Sequence, residues 1–217
     1  MVSKRQVVAR QQSQELEARS SQVQGRAKQR NQQILDVTNT LLEQVGLDDL
    51  STALIAKEVG ISVGALYHYY PNKYAILYAI GKQWLDEIER ALLDMVQWDI
   101  ESTPLEILVD AMLARNLKVY QRQRAVLALV QAMFSVPELR ELDQQHDAMV
   151  ISYMAELFKR MGIKRRINER ERLARLYLEC SHAAFLVVVN QKGERAKRTL
   201  ADTKLMLCAL LKAHLSE

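Results

Sequence analysis

Between Ser51 and Tyr70 the chain reads STALIAKEVGISVGALYHYY. It brings hydroxyls, a phenol, an imidazole and several very small residues together within a few turns. Small groups let a second molecule come close, and hydroxyl, phenol and imidazole groups hydrogen-bond phosphates and base edges. Bond-making chemistry has no comparable signature here. The sequence holds no His-Glu-x-x-His, no Cys-x-x-Cys and no phosphate-binding glycine loop. Its four histidines, His68, His146, His182 and His214, are far apart in sequence. No enzyme activity, cofactor or metal is expected.

Those polar groups need two short helices meeting near a right angle, and the spacing supplies them. Ser51 or Thr52 offers an N-cap, followed by Leu54, Ile55 and Val59. Ala56 is small enough for the helix crossing, and Gly60, four positions on, tolerates the positive φ of a tight turn. Leu54 or Ile55, with Val59, Ile61 and Leu66, fill the space between the helices. Ser62 caps the second helix, whose exposed face carries Val63, Gly64, Ala65, Tyr67 and His68. Upstream, Ile34, Val37, Leu41, Leu42 and Val45 recur at helical spacing and Gly46 stands as a terminator. Downstream, Pro71 stops the motif, and Asn72 caps a long helix through Trp84 to about Trp98 that touches both domains.

This constellation resembles the tetracycline-repressor (TetR) family over about residues 33–77. The likeness rests on Ile34-Leu35, Leu42, Gly46, Ser51-Thr52, Ile55-Ala56, Gly60-Ile61-Ser62, Gly64, Leu66-Tyr67, Tyr69-Tyr70 and Lys73. Val59 and Tyr70 stand where the family more often has Ala and Phe. The resemblance implies a homodimer with a variable C-terminal domain that holds a small effector, whose binding usually releases operator DNA. It places the stretch from Leu66 to Tyr70, and Lys73, at the DNA backbone. The motif register predicts that Val63, Gly64 and Ala65 approach base edges. Ser51, Ser62, Tyr67 and Lys73 are expected to hold phosphates, with Thr52 beside them. His68 is either a further DNA contact or a solvated imidazole, and Tyr70 is expected in the core.

The expected fold is all-α with about nine helices. A basic Gln-rich extension (1–25) precedes a three-helix helix-turn-helix domain (26–73), and a helical effector-binding and dimerisation domain follows (74–217). After the long helix, Thr103-Pro104 reads as a cap followed by proline at the first helical position. Further helices are expected around 124–134, from there to about Met161 before Gly162, at about 168–191 closed by Gly193, and at about 199–215. The last two are apolar on more than one side. Leu173, Leu176, Tyr177, Cys180, Ala184 and Val187 form one stripe, and Leu178, His182, Phe185 and Val189 another. In the final helix Leu200, Leu207, Leu211 and Leu215 oppose Leu205, Ala209 and Leu210. One face packs inward and the other needs a partner, which predicts a homodimer through about 172–190 and 199–215, with Leu211 taken as an interface position. Trp84, Met112, Asn116, Tyr120, Tyr177 and His182 are the candidate lining of a site for a mainly apolar effector.

Charge supports a nucleic-acid partner only locally. Residues 1–30 carry seven Lys/Arg against two Glu, a net +5, whereas the whole chain is +4. That arm, as a flexible strand or an extended first helix, would lie near double-stranded DNA. Cys180 and Cys208 sit in apolar stretches and read as small buried hydrophobes. The longest apolar run, Ala183 to Val189, is too short for a membrane span, and the residues after Met1 show no secretory signal, so a cytoplasmic regulator is expected. The competing reading is a DNA-bound adaptor whose C-terminal domain binds a protein and no small ligand.

Overall fold

The computed structural model describes residues 4–215 except residue 124; for residues 4–24 and Val96 only the backbone is described. Nine helices and no strand occur among the described residues: α1 (Lys4–Asp49), α2 (Thr52–Val59), α3 (Val63–Tyr67), α4 (Lys73–Val96), α5 (Leu105–Arg122), α6 (Val126–Ser135), α7 (Pro137–Arg160), α8 (Ile167–Val189) and α9 (Gly193–Lys212). They form two compact units that divide within α4, between Ile76 and Leu77.

The first unit is a short helical cluster fed by a long helix. α1 runs without a break from Lys4 to Gly46, where a φ of 75° interrupts it before the last residues to Asp49. The arm is therefore helical in backbone; the side chains of Lys4, Arg5, Arg10 and Arg19 lie outside the described residues. The buried stripe of α1 is Ile34, Leu35, Thr38, Leu41 and Leu42. Val37 is only half-buried and Val45 is exposed, so the inward face lies to one side of the stripe read from sequence. These residues meet Leu50, Ile55, Ala56, Val59, Leu66 and Ile76 in one core. Burying a large aliphatic side chain fully contributes about 1.5–3 kcal/mol, enough to hold helices of five and eight residues that would not persist alone.

In the second unit α7 packs on both α6 and α8, α8 on α9, and α5 across α8 and α9. Its core includes Met95, Met112, Leu129, Met133, Phe158, Leu173, Leu207 and Leu211. Gly81 on α4 allows α6 to come close: a Cβ there would sit 3.0 Å from the Met133 methyl.

Several boundaries differ from expectation. α5 starts at Leu105 with Pro104 as its N-cap, and the Thr103 hydroxyl donates to the carbonyl of Asp99 rather than capping. The residue expected to open α6, Arg124, lies outside the described residues. Gly193 does not close α8; it is the first residue of α9, which begins six residues earlier than its apolar pattern suggested. The two faces of α8 and α9 are also re-sorted. Leu173, Ala174, Tyr177, Ser181, Phe185 and Val188 point inward on α8, and Thr203, Leu207, Cys208 and Leu211 on α9. The outward apolar groups are Leu176, Ala183 and Val187 on α8, with Leu205, Met206 and Ala209 on α9. Leu211 is wholly buried within the subunit, which removes it from the interface positions.

Candidate nucleic-acid interface and ligand cavity

In the first unit the geometry starts from capping. The Ser51 hydroxyl oxygen accepts from the Leu54 N–H at 3.2 Å, and Ser62 accepts from Ala65 N–H at 3.1 Å. Each serine thus fixes a helix start while its own O–H proton stays free to donate outward. Between the helices Gly60 takes φ 76°, ψ 37°, and the Ile61 N–H reaches back to the Ala56 carbonyl at 3.0 Å. The left-handed turn read from Gly60 is therefore present. Asn72 caps α4 through a 2.9 Å bond from Ala75 N–H.

The candidate residues fall on connected surface. Ser51, Ser62, Gly64 and His68 are exposed; Thr52, Val63 and Ala65 are half-buried. Tyr67 is 51% exposed, and its hydroxyl lies 3.4 Å from Thr52 Oγ1, joining α3 to the start of α2. Gly64 is informative because the protein makes no use of its missing side chain. A Cβ there would meet only Ser62 Oγ, at 3.9 Å, an ordinary contact. Glycine inside a helix costs about 0.5–1 kcal/mol relative to alanine, and nothing packed against it in this chain requires it.

Lys73 has a place the sequence did not reveal. Its ammonium donates to the carbonyls of Leu47 and Leu50 at 2.9 and 2.8 Å, tying α4 to the corner between α1 and α2. Two of its three protons are thereby engaged, and one is left for an outside acceptor. Tyr70 is half-buried: burial pushes its phenol up, and a hydrogen bond with Asn31 opposes that. Tyr69, expected at the DNA backbone only as part of the stretch from Leu66 to Tyr70, lies beside a groove along α1 with Arg26, Arg30 and Val37.

In the second unit, Met112, Asn116, Tyr120 and Tyr177 converge on one cavity of about 40 Å3 between α4, α5, α7 and α8. Trp84 and His182 stand behind its wall. Trp84 meets the Tyr120 ring edge-on at 5.2 Å, and His182 Nδ1 is 2.6 Å from the Tyr120 hydroxyl. Burial holds His182 below the usual histidine range, while burial and the carboxylates of Asp143, Asp147 and Glu179 push the Tyr120 phenol far up. The bond therefore joins a protonated phenol to a neutral imidazole, and the imidazole tautomer sets which of the two donates. Sequence reasoning missed Met154, Ser181 and Phe185 as lining groups. Ser181 and Phe185 continue the four-residue stride from Leu173 through Tyr177, a visible signal; Met154 is on α7, and no sequence pattern links it to α8.

Beside the cavity is an acidic cluster. Burial, with Asp143 and Glu179 nearby, pushes Asp147 up to about 6, against partial relief from Arg175. Asp143 is raised by burial and by Glu179, and burial also lowers His146. Among the described residues no group of His, Cys, Asp and Glu has the arrangement of a metal site, and no helix is long and apolar enough to cross a membrane.

Comparison with known proteins agrees with the architecture. The family model described as bacterial regulatory proteins, tetR family, matches residues 34–80, and the tetracyclin repressor-like C-terminal domain matches 104–211. The HTH-type transcriptional regulator BetI of Vibrio atlanticus is 28% identical over 132 residues, 58% of this chain and 64% of that protein. The nucleoid occlusion factor SlmA of Mannheimia succiniciproducens is 36% identical over 89 residues, 40% of this chain and 39% of that protein. The chain thus spans less than two thirds of the length of either. Among solved structures, a TetR transcription regulator from Haloarcula marismortui has a TM-score of 0.66 at 21% identity, over 87% of this chain and all of that one. Salmonella enterica GusR has 0.62 at 24%, over 84% and 95%. These likenesses concern the fold. With both halves matched by family models, the chain belongs to the tetR family of bacterial regulatory proteins, which are DNA-binding transcriptional regulators.

Proposed function

We propose that the protein is a cytoplasmic homodimeric repressor that holds an inverted-repeat operator through α2 and α3 and is released from it by a mainly apolar small molecule. The observation that carries the DNA role is Gly64, an exposed helical glycine with open space around it. Its bare backbone, between Val63 and Ala65, is where base edges approach. Ser51, Ser62 and Tyr67 donate hydroxyl protons to phosphates, with Thr52 steadying Tyr67. The remaining proton of Lys73 takes another phosphate, and His68 borders the same surface. The helical arm carries further cations toward the duplex, beside the groove of Arg26, Arg30 and Tyr69.

The dimer reading draws on the outward apolar groups of α8 and α9. Leu205 is 69% exposed, Val187 49% and Met206 48%, a concentration that needs a cover. A second copy supplies one by making a four-helix bundle across a twofold axis. Selection of bound duplexes from a random pool is expected to return an inverted repeat. Leu205→Glu is expected to give a folded monomer, seen by sedimentation, with operator affinity down by about two orders of magnitude because one half-site is lost. A unique site without symmetry, or a monomeric unmodified protein, would overturn the reading.

Two observations favour the adaptor reading instead. The cavity of about 40 Å3 is small beside the roughly 300–1,000 Å3 of ligand pockets, and Phe134 on α6 is 66% exposed, a ready protein contact. Thermal-shift screening separates the two: an apolar compound that stabilises the protein and weakens operator binding decides for the effector.

A further inference from the structure

The cavity between α4, α5, α7 and α8 has a definite chemical character. Six of its lining groups carry it: Met112, Asn116, Tyr120, Met154, Tyr177 and Phe185. None of the lining side chains is charged. Three of these six are aromatic, and the Tyr120 ring packs at a 49° tilt against Phe185 with centroids 4.9 Å apart. The polar groups there are nearly all engaged. The Tyr120 hydroxyl is bonded to His182, Ser181 Oγ donates to the Leu178 carbonyl, and the Asn116 amide nitrogen donates to the Met112 carbonyl.

Tyr177 differs. Its side chain is 5% exposed, its ring packs edge-on against Phe158 at 5.6 Å, and its hydroxyl has no hydrogen-bond partner. A buried hydroxyl without a partner lowers stability, and phenylalanine would fill the same space without that cost. Tyr177 is among the residues lining the cavity, and burial, with the Cys208 thiol adding to it, keeps its phenol protonated and able to donate.

We propose that the cavity takes an uncharged monocyclic aromatic compound carrying one hydrogen-bond acceptor, and that the Tyr177 hydroxyl is the group that recognises that acceptor. The inference rests on the effector reading above and names its chemical class. An anion is disfavoured because Asp143, Asp147 and Glu179 all act on Tyr120. A cation would lose its water with no carboxylate among the lining groups to replace it. Benzene-sized cavities are about 150 Å3, so a ring enters only as the Met112 and Met154 side chains swing aside. Unbranched thioethers do so at low cost.

The test uses the full chain without DNA and four compounds of one shape class: acetophenone, cumene, benzoate and phenyltrimethylammonium. Calorimetric titration is expected to show acetophenone binding about tenfold more tightly than cumene, the worth of one hydrogen bond, and neither ion binding. In Tyr177→Phe the preference for acetophenone over cumene should vanish, while the unliganded variant melts at the same or a higher temperature. A preference retained in the variant overturns the proposal. So does either ion binding as tightly as acetophenone, or failure of both neutral compounds to bind. Operator release is read separately. Binding without release leaves this inference standing and sinks the effector reading; release by a compound indifferent to Tyr177→Phe does the reverse.

Discussion

In the first unit every helix after α1 starts on a side chain: Ser51 caps α2, Ser62 caps α3, and Asn72 caps α4. In the second unit α5 to α9 all begin without a side-chain cap. The two units are therefore specified by different means. Short helices with little core of their own need each end fixed locally, and capping residues write those ends into the sequence. Longer helices in a large core are positioned by burial, and their ends fall where packing stops. A surface that must present several groups in a set register belongs with the first kind. A cavity of the kind proposed to admit a ligand belongs with the second, because packing yields where a cap would not.

The sharpest break of this comparison is at Lys73, which locks the first unit by its ammonium rather than by a cap. Lys73→Met keeps the length of the side chain and leaves the Leu47 and Leu50 carbonyls without their charged donor. Hydrogen bonds to charged groups are worth about 1.5–3 kcal/mol, and urea unfolding should show a loss of that size. If the first unit tolerated the change without loss, local fixing would not be what holds it.

Legibility followed the same division. The Ser62 cap, a cap at Ser51 or Thr52, the Gly60 turn and the start of α4 were readable because each is decided within about four residues, and the bond from Leu54 N–H selects Ser51. The partners of Lys73 were not, since Leu47 and Leu50 lie more than 20 residues upstream and offer only backbone oxygen. In the second unit the helices themselves were legible from their apolar period, and four of six proposed lining residues share one cavity. Which face of α8 or α9 points inward was not legible. Both helices carry apolar residues on two sides, and only the three-dimensional packing shows that Leu211 is buried while Leu205 is exposed.

A smaller effect sharpens the comparison at Gly64. The free protein has room for a methyl group there, and replacing a helical glycine by alanine gains about 0.5–1 kcal/mol. Gly64→Ala should therefore melt higher than the unmodified protein. On the proposed reading its operator affinity should fall by about tenfold, because the methyl group would stand where base edges approach. Stability and binding moving in opposite directions separates a residue kept for a partner from one kept for the fold. A variant that is both more stable and binds equally well would remove Gly64 from the interface.

The smallest effect concerns the second unit and its buried acids. Asp147 is pushed up to about 6 by burial, with Asp143 and Glu179 adding to it and Arg175 opposing. A carboxyl whose folded value lies above its usual value holds its proton more tightly when folded. The stability this gives is complete below the usual value near 3.8 and is lost as pH rises through about 6. At neutral pH the carboxylate is a burden that the surrounding packing outweighs. Asp147→Asn removes the charge at nearly constant shape, so the variant should melt about 2–4 °C higher at pH 7.5 and show almost no difference at pH 4. The histidines contribute with the opposite sign. Burial lowers both His146 and His182, so their contribution is lost as pH falls below the usual value of 6.5. That loss is common to both proteins and cancels in the difference between their melting temperatures. A gap that is equal at pH 4 and pH 7.5 would mean that Asp147 is not held protonated by the fold. A variant that melts lower at pH 7.5, with the difference closing toward acid, would assign Asp147 a favourable ion pair instead, and the second unit would then be fixed by a specific contact in the manner of the first.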